Sequence, residues 1–180
     1  VTVAAFNGES NKECKYNQRG EIRILTPARM KEYYKRPDAT KEFFWRDPDG
    51  NEWGCTGDVG YVDLDGFLFV EGRATDYFTT KTGEKIYNFD IENVILEVDG
   101  VYQCEVVGRK QPDGYEEVFA FVIFSEKANK DKVLSEVQRI CKKRLKTEQI
   151  PVEFRVLDSF PVKPSGKRDM EKLIQIASES

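Results

Sequence analysis

The amino-acid sequence predicts an α+β chain whose two parts follow different patterns, and three observations carry that prediction. Up to about residue 75, short aromatic and β-branched runs alternate with turns rich in Asp and Gly; beyond it, apolar residues take helical spacing on either side of a hairpin pattern. The hydrophobic content, 39% of 180 residues, is enough to fill the cores such a layout needs.

In chain order, GEIRILT (20–26) is a compact strand, and MKEYYKRPDATKEFF (30–44) reads as one or two helical turns broken by Pro37. The turn signals DPDG (47–50) and DLDG (63–66) separate the strand-like runs GDVGYVD and GFLFVEG, which predicts a hairpin-rich sheet. IYNFDIENVILEV (86–98) spaces Ile91, Val94, Ile95 and Val98 as a helix face, with Asn88 or Asp90 placed to cap it. VYQCEVVGRK (101–110) and EEVFAFVIFSE (116–126) flank QPDGY, where Gly114 suits an antiparallel hairpin. KDKVLSEVQRICKKRLK (130–146) gathers Val133, Leu134, Val137, Ile140, Cys141 and Leu145 on one face, EFRVLDSF follows as a strand, and RDMEKLIQIAS closes as a helix. Helix, hairpin, helix, strand, helix is a small α+β unit with a short antiparallel sheet and about three helices.

Composition excludes several functions. A formal charge of −4, from 28 basic and 32 acidic residues, makes no bulk field for nucleic acid or an anionic membrane, so an anionic ligand must be held locally. The basic cluster Arg139, Lys142, Lys143, Arg144 and Lys146 reads as a solvated helix end answering the macrodipole. There is no apolar run of membrane-spanning length, and VTVAAFNGESNKECKYN lacks the basic-then-apolar order of a signal peptide, so the chain is read as soluble and cytoplasmic. Cys14, Cys55, Cys104 and Cys141 are far apart with no C-x-x-C pair, which predicts free thiols. The absence of histidine removes Ser-His-Asp and Cys-His mechanisms and the usual metal triads. Asp47, Asp49, Asn51 and Asp58 mimic an EF-hand register, but Glu52 stands where its glycine belongs and Asp58 where its bidentate glutamate belongs, so no metal site is assigned.

Three stretches remain that carry chemistry: Thr56-Gly57-Asp58, read as a turn leading into a strand; Gly72-Arg73, with glycine returning at Gly83; and FPVKPSGKRDMEKL (160–173), which sets Lys167 behind a Pro-Ser-Gly turn. The last is not a phosphate-binding Walker loop, because Pro161 and Arg168 occupy its glycine and Ser/Thr positions.

In order, T-G-D, D-x-D-G, G-R, a glycine turn into a helix bearing Ile91-Glu92, and P-x-x-x-x-G-K resemble the C-terminal portion of the adenylate-forming enzymes: acyl-CoA synthetases, luciferases and peptide-synthetase adenylation domains. The resemblance runs from GEIRILT to EKL. It implies a parent that joins a carboxylic acid to ATP, with Mg2+, giving an acyl-adenylate, and then passes the acyl group to CoA. Asp58 matches the aspartate that holds the nucleotide ribose, Arg73 an arginine beside it, and Lys167 the lysine that bridges carboxylate and α-phosphate during adenylation. Residues 1–73 would be the last β subdomain of the large domain, and 76–180 a mobile C-terminal lid. The lid would turn about a hinge at Thr75 and Asp76 and offer the loop at Gly83 to the pantetheine thiol. The sequence departs from the family at Thr75, where aspartate or lysine is usual, and in a TTKTG loop one residue longer than in many relatives. The phosphate loop, adenine segment and acyl pocket of such enzymes lie upstream and do not occur here. The chain is therefore expected to be a fragment, inactive alone, that partners the upstream domain of the same enzyme. Chain end soon after PSGKRDMEKL favours a CoA ligase; alternatives are a peptide-synthetase-type domain loading a carrier protein and a noncatalytic module keeping the lid fold.

Overall fold

The computed structural model describes every residue except Thr82, Asp113 and Ser180. It divides into two compact units, Val1–Thr75 and Asp76–Ser180. Among the described residues no helix is long and apolar enough to cross a membrane.

The first unit is a five-stranded antiparallel sheet. β1 (Thr2–Phe6), β2 (Gly20–Leu25), β4 (Glu52–Val62) and β3 (Phe44–Arg46) lie side by side in that order, and β5 (Leu68–Arg73) also pairs with β4. β1 and β3 are additions to the elements read from the sequence. The only helix of this unit, α1 (Pro37–Phe43), is not broken by Pro37 but begins at it. A first-turn amide needs no intrahelical partner, and the fixed φ of proline already suits a helix, so proline starts rather than interrupts the turn. The apolar cluster is small: Ala4, Phe6 and Trp53, with Leu25 and Trp45 against it. Arg23, only 4% exposed, completes it by lying 4.4 Å from the ring centre of Trp45 and 4.8 Å from that of Phe6, while its guanidinium reaches Glu21 and Asn11.

β4 is irregular where it matters. Its pairing with β2 runs Glu21↔Val59 and then Arg23↔Cys55, so Thr56, Gly57 and Asp58 bulge opposite a single residue. The Thr-Gly-Asp stretch therefore lies inside a long strand rather than in a turn before one. Two residues on, Gly60 is pressed against β5: a Cβ there would sit 2.0 Å from the Phe69 carbonyl oxygen.

The second unit is built around β9 (Glu116–Phe124), whose residues from Val118 onward are all buried. β8 (Val101–Lys110) pairs with it antiparallel on one side and β10 (Glu153–Val156) on the other. The β9–β10 pair is parallel, so the sheet is mixed rather than antiparallel throughout. The physical reason is the connection: α3 (Lys130–Arg144) and a 3-10 turn (Thr147–Gln149) carry the chain back over the sheet, and such a crossover returns the next strand in the same direction. The period of two along β9 sorts its side chains. Val118, Ala120, Val122 and Phe124 meet Ile91, Ile95, Val133, Val137 and Cys141 of α2 (Asn88–Leu96) and α3; Phe119, Phe121 and Ile123 meet Phe160 and, from α4 (Met170–Ser178), Leu173 and Ala177. A short hairpin, β6 (Tyr77–Thr79) with β7 (Lys85–Tyr87), leads into α2 and was not separated out in the sequence.

α3 starts at Lys130, with Asn129 as its cap accepting from the Lys132 amide. Its basic end is matched by acids: Arg139 to Glu136, Arg144 to Glu97, and Lys146 just beyond to Glu84. α2 departs from expectation. Neither Asn88 nor Asp90 caps it; the cap is Tyr87, with no side-chain bond. Asn88 is used differently. β8 is an edge strand, and Val106 turns its own amide and carbonyl off that edge, where the Glu92 carboxylate accepts from its N–H at 2.8 Å and the Asn88 side-chain amide donates to its C=O at 2.8 Å. Residues four apart on a helix stand on one face, so a single turn of α2 closes the edge.

That arrangement buries a carboxyl. Desolvation pushes Glu92 up from 4.5 to about 7, with Asp76 adding to the rise and the Val106 amide and Arg168 opposing it. A raised folded-state value means that stability is fully present below the unfolded-state value and is lost as pH rises toward 7. The shift corresponds to about 3 kcal/mol. Glu92→Gln keeps an acceptor for Val106 and removes the titration, so unfolding free energy from urea titrations should fall by about 3 kcal/mol less in the variant than in wild type between pH 4 and 8. In the first unit, Gly60→Ala forces β4 and β5 apart and should cost about 3 kcal/mol by the same measurement.

Candidate functional site

The residues singled out in the sequence fall in two places, one in each unit. In the first, the bulge at 56–58 brings Asp58 opposite Arg73 across β4 and β5. Arg73 Nη1 donates to Asp58 Oδ1 at 2.8 Å and to the Thr56 carbonyl at 3.1 Å. The bulge is held from both sides: the Thr56 hydroxyl donates to the Ile22 carbonyl at 2.9 Å and accepts from the Asp58 amide at 3.1 Å, and Ala74 N–H reaches the Gly57 carbonyl at 2.8 Å. Gly57 sits at φ 73°, a left-handed conformation that a side chain would strain, with the Arg73 guanidinium 3.4 Å from where a Cβ would lie. Asp58 Oδ2 has no partner among the described residues, so this half-exposed carboxylate keeps one oxygen for an incoming donor. Sequence reasoning named Asp58 and Arg73 separately; the structure pairs them.

In the second unit, residues 161–168 form a tight hairpin. Gly166 N–H closes onto the Lys163 carbonyl at 2.8 Å with Gly166 at φ 79°, and Lys163 N–H then bonds the Lys167 carbonyl at 2.7 Å. The same closure recurs with a left-handed glycine at Gly50, Gly66, Gly83 and Gly114. At 161–168 it ends in the Val162↔Arg168 pairing and in Asp169, whose N–H donates to the Pro161 carbonyl at 2.8 Å and whose side chain accepts from the Lys172 amide as the cap of α4. Of the two lysines in the turn, Lys163 is tied to Glu171 at 3.1 Å, whereas Lys167 is exposed and its ammonium has no partner among the described residues. A rigid turn thus carries one unpaired cation.

Thr75 and Asp76 lie at the junction of the two units, with the Asp76 carbonyl accepting from the Asn88 amide at 3.1 Å. Gly83 is the left-handed residue of the β6–β7 loop, exposed, with open space where a Cβ would be. Its neighbour Thr82, part of the TTKTG stretch, lies outside the described residues. Cys55 is a poor nucleophile here, because burial first, and Glu21 next, push its thiol up against the opposing pull of Arg23. Asp47 organises the β3–β4 turn by accepting from Asn51 and from the Trp53 indole at 3.0 Å. The sequence reading named Thr56 within its turn stretch, Asn88 as a cap candidate and Glu92 within Ile91-Glu92, but missed their roles: the Thr56 hydroxyl organises the bulge, and Asn88 and Glu92, four residues apart on α2, both bond Val106.

Residues 90–167 match the family model described as the AMP-binding enzyme C-terminal domain. The sulfoacetate–CoA ligase of Cupriavidus necator is 35% identical over 98% of this chain and 33% of its own length. A fatty acid–[acyl-carrier-protein] ligase of Streptomyces coeruleorubidus is 36% identical over 82% of this chain and 27% of its own. Among solved structures, the o-succinylbenzoate CoA synthetase of Bacillus subtilis, in complex with its acyl-adenylate intermediate, superposes with a TM-score of 0.70 at 30% identity, over 95% of this chain and 33% of that one. The chain spans about a third of the length of the relatives it matches. The domain match, the fold and the relatives together show that residues 90–167 form an AMP-binding enzyme C-terminal domain and that the chain corresponds to the C-terminal third of adenylate-forming ligases.

Proposed function

We propose that this chain supplies the lid, and the last β subdomain that precedes it in the chain, of a cytoplasmic ATP-dependent ligase that activates a small carboxylic acid and transfers it to CoA. The observation that carries the reading is Lys167: an exposed, unpaired ammonium on a clamped hairpin, within the segment that matches the AMP-binding C-terminal domain. In adenylation a carboxylate oxygen attacks the α-phosphorus of ATP, the bond from that phosphorus to the bridging oxygen breaks, and pyrophosphate leaves. Two anions must approach as charge builds on the α-phosphoryl oxygens. A point charge with three donors can touch both, and stabilises the transition state more than the separated reactants. In the second half-reaction the thiol of CoA attacks the acyl carbon, and AMP leaves with the bonding pair.

The remaining residues take roles that their surroundings support. Asp58 keeps Oδ2 for the ribose hydroxyls while Arg73 holds Oδ1. Thr75 and Asp76, at the junction of units, serve as the hinge about which residues 76–180 move between half-reactions. The open backbone at Gly83 suits close approach of a pantetheine arm. Mg2+ would accompany the ATP phosphates in the longer enzyme; the described residues hold no cluster of three His, Cys, Asp or Glu that would bind it, and no step here is assigned to it. The exposed apolar strip Leu64, Phe67, Leu68, Phe69 and Val70 supports a first unit that packs against further chain of the same enzyme. The carrier-protein ligase among the relatives keeps a carrier thiol as the second reading for the acceptor.

In the longer enzyme, Lys167→Ala should lower carboxylate-dependent ATP–pyrophosphate exchange by about 10²- to 10³-fold, with little change in ATP affinity. Equal exchange in the two proteins would make Lys167 a turn residue and end this reading. The 180-residue chain alone, assayed with short, medium and aromatic acids, should give no exchange above background.

A further inference from the structure

Lys167 is followed by a second basic residue, and the two are treated oppositely. The Lys167 ammonium points to no partner among the described residues, while Arg168 is folded back onto the body of the unit. Its guanidinium pairs with Glu105 of β8, reaches Gln103 Oε1 of the same strand at 3.5 Å, and lies 4.5 Å from the ring centre of Phe160. Glu105 and Gln103 are two residues apart, so they share the face of the sheet on which Val107 of β8 and Phe119 and Phe121 of β9 pack with α4. The Glu105 side chain is 15% exposed and that of Arg168 33%, so the pair is shielded from solvent far more than the surface pairs on α3. The backbone of Arg168 also forms the Val162↔Arg168 bridge that closes the hairpin.

From these contacts the geometry points to Arg168 as the positioning residue of the adenylation lysine: its ion pair with Glu105 fastens the base of the 161–168 hairpin to the buried sheet and so fixes where Lys167 stands. This rests on the role of Lys167 proposed above. A planar fork that can meet Glu105 and Gln103 together while lying on Phe160 restrains both reach and rotation, which a single flexible ammonium does not. Glu105 also neutralises the charge beside Lys167, so two adjacent cations do not drive the loop open.

The test uses the longer enzyme with Arg168→Ala, Glu105→Ala, both together, Arg168→Lys and Lys167→Ala. Three quantities are read: pyrophosphate exchange, thioester formation from supplied acyl-adenylate, and hydrogen exchange at the amides of Lys163, Gly166 and Asp169, which bond within the hairpin. Arg168→Ala should lower kcat for exchange about 10- to 100-fold with KM for ATP nearly unchanged, since misplacement of a charge costs rate rather than binding. Thioester formation should stay within about twofold, because that step as proposed does not use Lys167. The hairpin amides should exchange faster, the double variant should be no slower than Arg168→Ala alone, and Arg168→Lys should recover part of the loss. A parallel fall of both half-reactions would show general destabilisation and overturn the assignment, as would unchanged exchange in Arg168→Ala beside a strongly impaired Lys167→Ala. If Lys167→Ala itself is unimpaired, the proposed function fails first; the anchor then stands or falls on the amide data, and unchanged amide protection in Arg168→Ala overturns it.

Discussion

The burial of β9 on both faces is the constraint on which the second unit depends. A strand whose every residue from Val118 to Phe124 is shielded must have apolar cover above and below, and this chain supplies it from separate segments: α2 and α3 on one face, α4 and Phe160 on the other. Each fully buried phenylalanine contributes about 2–3 kcal/mol of transfer free energy, so Phe119 and Phe121 alone bind α4 firmly to the sheet. Since Asp169 caps α4, the docking of that helix also decides where the preceding hairpin leaves the body. The position of an exposed lysine is thus a consequence of which side chains of β9 face downward. The hairpin that carries Lys167 is attached to the core through Leu173, Ala177 and Phe160 rather than built into it.

Charge is handled in two contrasting ways. Where a carboxylate can meet a fork of donors at the surface of the fold, as in Asp58 with Arg73, the pair holds geometry while one oxygen stays available. Where a carboxylate is taken inside, as with Glu92, its burial raises its proton affinity and the structure bears the cost in order to close the edge of β8. An aliphatic residue at 92 would remove the titration but leave the Val106 amide facing an apolar helix. The compromise is consistent with a strand edge that would otherwise be open to another chain.

Much of the fold was legible because it follows local rules. The helical spacing of Ile91, Val94 and Ile95, and of Val133, Val137 and Cys141, reports a helix face directly, and each glycine that closes a hairpin stands three residues after the residue it bonds. Several features were not legible, for identifiable reasons. β1 and β3 are short and stabilised by cross-strand pairing, β1 with β2 15 to 23 residues on and β3 with β4 across the 47–51 turn, and propensity within TVAAF or FWR cannot report that. The parallel pairing of β10 depends on how α3 packs rather than on anything in EFRV. Pro37 was misread because the same residue that ends a helix in its interior begins one at its first position. Asn88 satisfied the sequence rule for a cap, but the helix begins one residue earlier, with Tyr87 at the cap position, and the Asn88 side-chain NH2 is given to the Val106 carbonyl on the edge of β8.

The candidate site shows the same division. T-G-D and G-R were visible as words, yet the bulge that joins them arises from a register shift against β2, a strand more than thirty residues earlier in the chain. Lys167 was visible because a turn glycine precedes it; Arg168 was visible only as the residue that disqualifies a Walker loop. In the structure that disqualifying residue is the more constrained of the two, paired with Glu105 and stacked on Phe160 while its neighbour stays in solvent. The contrast has a physical logic. A cation that must meet negative charge arriving with a substrate cannot be paired in advance, so its own side chain is unable to hold its place. Restraint has to come from the backbone on either side: from Pro164 and Gly166 before it, which close the turn, and from a residue after it with enough donors to grip a strand. An arginine at that position does for the loop what a free lysine cannot do for itself.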